Sequence, residues 1–328
     1  MSQAQRVRTT MTAGDWLLVL LLGALWGGSF FFARIAVGEI APLTLVFLRV
    51  AIAAAALHLL LLLRGPSFRL ALPRAGSAAL LALFNNIIPF SLIFAGQTEI
   101  GAGLAAVLNA TTPFWTALIA ARATTDERLT LAKVAGILLG IAGTGVMIVP
   151  GLAAGLGGPV WAKLAIVGAA LSYAAGAILA RRFGGVPPTV TATAQLTVST
   201  LVMAPVAFAS GGAAGAIVAS AGAWSAVLAL ALVSTAFAYI IYFRLVGTVG
   251  ATNASLVTLV VPAFAVLLGA AFLAERLEPF ELGGMLLIGI GLAVIDGRIL
   301  SRFGTWGPGR KRLSEKRKAP RLPSENKS

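Results

Sequence analysis

A chain of 328 residues with 59% hydrophobic and 11% charged residues has too little charge to face water, since a soluble domain carries roughly 25%; most of it is solvated by lipid. The lack of cysteine and the single histidine, His58, exclude disulfides, thiolate or multi-histidine metal sites and cysteine nucleophiles. The net charge of +14 suggests nucleic acid, yet ten of the 25 Lys and Arg residues lie between Arg298 and Lys327, so the surplus is a tail and not a groove lined with stacking aromatics.

Ten segments approach the ~20 apolar residues that span a bilayer. The first, 16–34, follows Arg6 and Arg8; it is longer than a signal-peptide core and reads as a retained helix, with Trp26 and Ser29 at depth. Segment 43–63 holds Arg49 near one end and His58 near the other. Segment 75–97 holds Asn85, Asn86 and Pro89, then Phe90 and Phe94. Segment 100–122 carries Asn109, Thr111, Thr112, Pro113 and Trp115. Segment 130–149 is glycine-rich, with Gly136, Gly140, Gly143 and Gly145. In the second half, 160–181 holds Ser172 and Tyr173, and 189–209 holds Gln195. Segment 223–246 holds Ser234, Thr235, Phe237, Tyr239 and Tyr242. Segment 250–273 holds Thr258 and Pro262, and 280–299 is again glycine-rich.

The positive-inside rule orients the chain. With the N-terminus in the cytoplasm, the inner loops and ends hold Arg6, Arg8, Arg64, Arg69, Arg74, Arg122, Arg128, Lys133, Arg181, Arg182, Arg244 and the tail. The outer side holds Arg34, Lys163 and Arg276. The expectation is an all-α membrane protein of ten transmembrane helices with both termini cytoplasmic, in a bacterial-type inner membrane. Residues 1–14 form the N-terminal segment and 300–328 a basic, disordered tail that touches anionic lipid.

Shifted by 149, "GAGLAAVLNATTPFWTALIAA" (101–121) lies over "GATNASLVTLVVPAFAVLLGA" (250–270), with Pro113 on Pro262. Shifted by 148, "ERL" at 127–129 falls on "ERL" at 275–277, and Gly136 and Gly143 fall on Gly284 and Gly291. The units are 15–150 and 157–299. Five helices per unit is an odd number, so the second copy enters the membrane from the opposite side. Such inverted repeats are common in secondary transporters, with the substrate site near mid-bilayer between the halves.

"ALWGGSFFFARIAV", "PLTLVFLRVAIAA", the mid-helix prolines followed by "ERL", and the glycine-rich fifth and tenth segments together resemble the EamA family of the drug/metabolite transporter superfamily. The resemblance covers about residues 14–299 and is closest to the YddG type of exporter. It implies helices around a central cavity, alternating access, and export of aromatic and other neutral amino acids or similar small metabolites. It also makes an arginine at position 49 a family feature with a structural or gating role.

Polar groups at mid-membrane depth face a bundle interior or a cavity. The expected cavity residues are Trp26, Arg49, Asn85, Asn86, Phe90, Asn109, Thr112, Trp115, Tyr173, Thr235 and Tyr239, with Pro89, Pro113 and Pro262 as bend or gating positions. Two readings stand for the Asn85–Asn86 pair: a polar wall for a carboxylate or ammonium, or a clamp between helices. Arg49, roughly 9 Å deep, either snorkels outward or binds a substrate carboxylate. Gln195 takes its place in the second half. All eleven Asp and Glu residues lie at helix ends, in loops or in the tail, which favours facilitated uniport over carboxylate-based proton antiport. Export of another metabolite or drug, or proton coupling, is the alternative. No cofactor, metal site, nucleic-acid partner or enzymatic centre is expected. The partners are a small-molecule substrate and the bilayer. The glycine-rich faces leave a monomer or a weak homodimer open.

Overall fold

Thr12 starts the first helix with a reciprocal cap. Its hydroxyl accepts the Asp15 N–H at 3.3 Å and its own N–H donates to the Asp15 carboxylate at 2.8 Å, which satisfies donors that a helix start leaves orphaned. The computed structural model describes residues 11–123, 130–154, 157–180, 186–249, 254 and 256–296. Arg6 and Arg8, the first "ERL" at 127–129, Arg181, Arg182, Asn253 and the basic tail lie outside the described residues.

The helices are α1 (Ala13–Ala36), α2 (Pro42–Arg64), α3 (Ala75–Ala82), α4 (Ile88–Gln97), α5 (Ala102–Asn109), α6 (Thr112–Ala123) and α7 (Leu131–Ala154). The second half has α8 (Val160–Ala180), α9 (Pro188–Ala209), α10 (Ala213–Val218), α11 (Ala221–Leu228), α12 (Ala238–Val249), α13 (Val257–Phe272) and α14 (Pro279–Asp296). No strand occurs among the described residues. Pro42 and Pro188 stand at the first helical position of α2 and α9, where the missing N–H costs no hydrogen bond. A 3₁₀ turn, Phe68–Arg74, leads into α3 where the sequence reads as loop.

Two helices change register within the apolar run. Five residues of π-helix, Leu83–Ile87, join α3 to α4. Nine, Ala229–Phe237, join α11 to α12. With these joins, eight helical stretches among the described residues are long and apolar enough to cross a membrane: Ala13–Ala36, Pro42–Leu63, Phe68–Gln97, Ala102–Ala123, Leu131–Pro150, Val160–Ala180, Pro188–Ala209 and Ala221–Val249. Val257–Phe272 and Pro279–Ile295 are shorter apolar helices, the first being the described part of segment 250–273. Leu62, Leu63, Leu201, Phe208 and Leu267 are exposed on the outer surface, as lipid contact demands. Trp16 and Trp161 are half exposed at helix starts, positions suited to a membrane–water interface.

The packing reads the same from either half. Helix α1 packs on α13, and α8 packs on α5 and α6. The α3–α4 stretch packs on α8, as the α11–α12 stretch does on α1. Helix α2 pairs with α9, and α7 with α14. The glycines make the last pairing possible. A Cβ on Gly136 would lie 2.7 Å from the Gly291 carbonyl oxygen, and one on Gly143 would lie 2.7 Å from that of Gly284. Under the 148-residue shift these are the same contact, with the halves exchanged. The faces that the sequence leaves open to a partner chain are therefore packed within the chain, backbone against backbone.

Candidate functional site

Arg49 lies on the face of α2 turned into the bundle and is only 6% exposed. It does not snorkel. Its guanidinium carbon stands 3.8 Å from the centre of the Phe90 ring and 5.8 Å from that of Phe94, a cation–π arrangement. Nε donates to the Thr235 hydroxyl at 3.0 Å. Tyr173 and Tyr239 are within electrostatic reach. Among the described residues no carboxylate pairs with Arg49, and no hydrogen bond uses Nη1 or Nη2. A buried charge without a counter-ion is costly, and two directed donors are left over at this depth.

Local chemistry explains the register changes around this group. Pro89 is the second residue of α4 and has no N–H to give the carbonyl four residues back. The chain widens ahead of it, and the Ile88 N–H reaches the Leu83 carbonyl, five residues back. In the other half the Ala238 N–H reaches the Val233 carbonyl. No proline is present there, but Thr235 offers a hydroxyl that competes for a helix carbonyl. The Thr235 hydroxyl donates to the Leu230 carbonyl at 2.8 Å.

A polar seam runs from this point between the halves. Asn85 Nδ2 donates to Gln195 Oε1 at 3.4 Å, and Asn86 Nδ2 donates to Ser199 Oγ at 3.0 Å. Asn86 is fully buried, and its Oδ1 has no partner. The Asn pair clamps α9, and one buried acceptor remains over. Ser199 and Thr193, both fully buried on α9, were not singled out by sequence reasoning. The signal was present: in "TVTATAQLTVST" (189–200) polar residues recur at almost every second position, against an apolar average that labels the segment a plain span.

Other expected residues distribute as follows. Trp26 packs on Tyr242 at 5.4 Å between ring centres, Tyr173 meets Phe90 at 6.5 Å, and Tyr239 meets Phe243 at 5.9 Å. Phe237 is exposed and points away from the seam. Asn109, Thr112 and Trp115 surround an interruption at Ala110–Thr111 between α5 and α6. Pro113 sits in the first turn of α6 and leaves the Asn109 carbonyl without an amide; the Thr112 hydroxyl takes it at 2.7 Å. Trp115 Nε1 donates to Thr111 Oγ1 at 3.3 Å, and Asn109 Oδ1 is buried without a partner. Pro262 lies inside the continuous helix α13, so the matched prolines sit in differently built helices.

Charged residues gather at the end of the bundle that carries the α1–α2 and α4–α5 turns. Arg34 Nη1 donates to the carbonyls of Gln97 and, at 3.0 Å, Thr98, which closes the C-terminus of α4. The Glu275 carboxylate accepts the N–H groups of Ala102 and Gly103 at 2.8 and 3.1 Å. A residue of the second half thus caps α5 of the first. A Cβ on Gly101 would lie 2.7 Å from that carboxylate, so the position is held open for it. Two cavities of about 560 and 400 Å³ open at this end around Glu275, apart from Arg49. Lys163, which the sequence places among the outer-side charges, is fully buried, with Nζ donating to the Met147 carbonyl at 2.9 Å and Phe280 5.7 Å away.

Glu275→Gln is expected to lower stability by about 1–2 kcal/mol, the range for losing a charged cap; the thermal midpoint of the purified protein in detergent reads this. An unchanged midpoint would mean the cap contributes nothing. Glu39 makes another tie between the halves, accepting the Ser220 N–H at 2.6 Å and its hydroxyl at 2.7 Å. These donors, the backbone N–H first, hold its carboxyl below the ordinary 4.5. A lowered folded-state value stabilises above the unfolded pKa, and this is lost as pH falls through the lowered one. Glu39→Gln should therefore flatten the acid limb of the thermal midpoint plotted against pH; an identical limb would count against the tie.

Comparison with known proteins adds the family. The model of the EamA-like transporter family matches residues 14–149 and again 160–296. Protein PagO of Salmonella typhimurium (strain LT2) is 30% identical over 133 residues, covering 40% of this chain and 43% of PagO. The match thus spans less than half the length of that relative. A solved crystal structure, 22% identical over 89% of this chain and 99% of the other, superposes with a TM-score of 0.59, which shows a shared fold.

Proposed function

The chain belongs to the EamA-like transporter family, a multi-pass membrane transporter of small solutes, and from that premise we propose that it exports amino acids, aromatic and other neutral, or similar small carboxylate-bearing metabolites. The observation that carries this reading is Arg49, buried on Phe90 with both terminal nitrogens unpaired among the described residues. A guanidinium offers a planar fork that fits one carboxylate in two parallel hydrogen bonds. The rings of Phe90, Tyr173 and Trp26 suit an apolar or aromatic body beside it.

The proposed architecture is ten spans in two inverted halves, with both termini in the cytoplasm of a bacterial-type inner membrane. Alternating access then moves one half against the other about the α2–α9 seam, with Pro89, Pro113 and Pro262 at bends. The YddG type of exporter is part of this proposal and rests on the sequence resemblance. The mode is facilitative, because the acidic residues of the described spans lie at helix ends rather than beside Arg49.

Uptake of a panel of labelled amino acids into proteoliposomes tests the reading. The expected result is saturable uptake of phenylalanine, tyrosine or leucine, unchanged by an imposed pH gradient. Uptake of none of the panel overturns the substrate class. Accumulation driven by the pH gradient alone overturns the facilitative mode.

A further inference from the structure

We propose that Thr235 is a positioning residue that aims Arg49, and that the π-helical stretch Ala229–Phe237 exists to hold it there. This rests on Arg49 as the carboxylate-binding group and adds how that group is oriented. Thr235 is 1% exposed, so it acts through Arg49 and not by reaching a ligand. Its hydroxyl proton goes to the Leu230 carbonyl at 2.8 Å. That leaves an oxygen lone pair for the Nε–H of Arg49, 3.0 Å away. With Nε engaged from α12's side and the guanidinium flat on Phe90, the fork has one orientation left, with Nη1 and Nη2 free to meet a carboxylate.

The π register makes this bond possible. The Leu230 carbonyl is five residues upstream of Thr235. Elsewhere among the described residues, threonine hydroxyls that donate to an upstream carbonyl reach three or four residues back, as Thr112 to Asn109 and Thr193, Thr197 and Thr200 to Thr189, Thr193 and Leu196. A wider turn rotates the following residues about the helix axis relative to an α-helix, and here it brings the hydroxyl under the Arg49 side chain. The first half repeats the device in weaker form. Its π-helical stretch, Leu83–Ile87, presents Asn85 to Gln195, the residue that takes the place of Arg49. One half thus holds a charge in aim and the other a neutral amide.

The test compares two probes in proteoliposome uptake, L-phenylalanine and L-phenylalaninamide, which lacks the carboxylate. Thr235→Val is expected to raise KM for phenylalanine about tenfold, the size of a lost hydrogen bond to a charged group, with kcat and uptake of the amide little changed. Thr235→Ser keeps the hydroxyl and should return KM to within about twofold of the parent. Ser234→Ala removes a neighbouring hydroxyl that has no partner and should leave both probes unaffected. Thr235→Ala gives the same reading should the valine variant not purify folded. Equal loss for both probes, or no rescue by serine, overturns the positioning role. If Arg49→Gln still abolishes the preference for phenylalanine in that case, the reading of Arg49 survives. Parent protein that moves neither probe overturns both.

Discussion

Arg49→Gln is expected to lower transport of a carboxylate-bearing substrate at least about 100-fold while leaving the protein as stable as the parent or more so. The two halves of this expectation have separate causes. Removing one partner from a desolvated, hydrogen-bonded charge pair costs about 3–5 kcal/mol, which is two to four powers of ten in affinity. Without ligand, however, the parent carries an Arg49 charge that is 6% exposed and held by a single hydrogen bond and a ring face. Glutamine removes the desolvation cost and gives up a cation–π contact worth about 0.5–2 kcal/mol. Arg49→Lys is expected to fail as well, because a point charge on a flexible stem cannot reproduce the fork. Transport kinetics and thermal unfolding on the same preparations check both halves. Transport within threefold of the parent, or a large drop in stability, would make Arg49 a structural residue.

Gly143→Val is expected to be the most damaging small substitution for folding, at about 3 kcal/mol or more, at the upper end of overpacking costs. A Cβ there meets the Gly284 carbonyl oxygen at 2.7 Å and the backbone nitrogen of Ile288 at 3.0 Å. Backbone cannot rotate away as a side chain can, so α7 and α14 must separate. Gly145, on the same helix, has nothing within 4 Å of its Cβ position. Gly145→Ala is therefore expected to be neutral or slightly stabilising, since alanine is the better helix former. Yield of folded protein by size exclusion and the thermal midpoint separate the two. Similar behaviour of the two variants would place the glycine effect in local helix propensity and not in the α7–α14 contact.

Much of this was readable from the chain. A lipid-solvated helix must be apolar, so the eight long stretches and the two shorter helices stand out against charged and glycine-rich turns. The family model matches the chain twice, over 14–149 and 160–296. The unreadable part had physical causes. A π register adds one residue to a turn, and two adjacent polar residues in each stretch, Asn85–Asn86 in Leu83–Ile87 and Ser234–Thr235 in Ala229–Phe237, are too few to record a change of period. Glu275 and Arg34 carry capping roles that depend on which helix end arrives beside them, and only tertiary packing decides this. Lys163 reads as a charge on the outer side because its acceptor, the Met147 carbonyl, is 16 residues away in sequence. Thr193 and Ser199 were missed although their alternation was on display. Of the glycines read as close-packing surfaces, Gly136 and Gly143 do pack on a backbone and Gly145 faces open space; sequence alone left open which surface they pack against.

The α7–α14 contact also bears on how the chain is made. Helix α14 begins 148 residues after α7 does. At roughly 5–20 residues per second of synthesis, α7 enters the membrane about 7–30 s before its partner begins to be made. Throughout that interval Gly136, Gly140 and Gly143 present a bare backbone stripe to whatever helix drifts past, including α7 of a neighbouring nascent chain. A slow or interrupted ribosome prolongs that exposure. The last of the described helices to be synthesised is thus the one that closes α7, and chains truncated before residue 279 should be the ones that quality control removes.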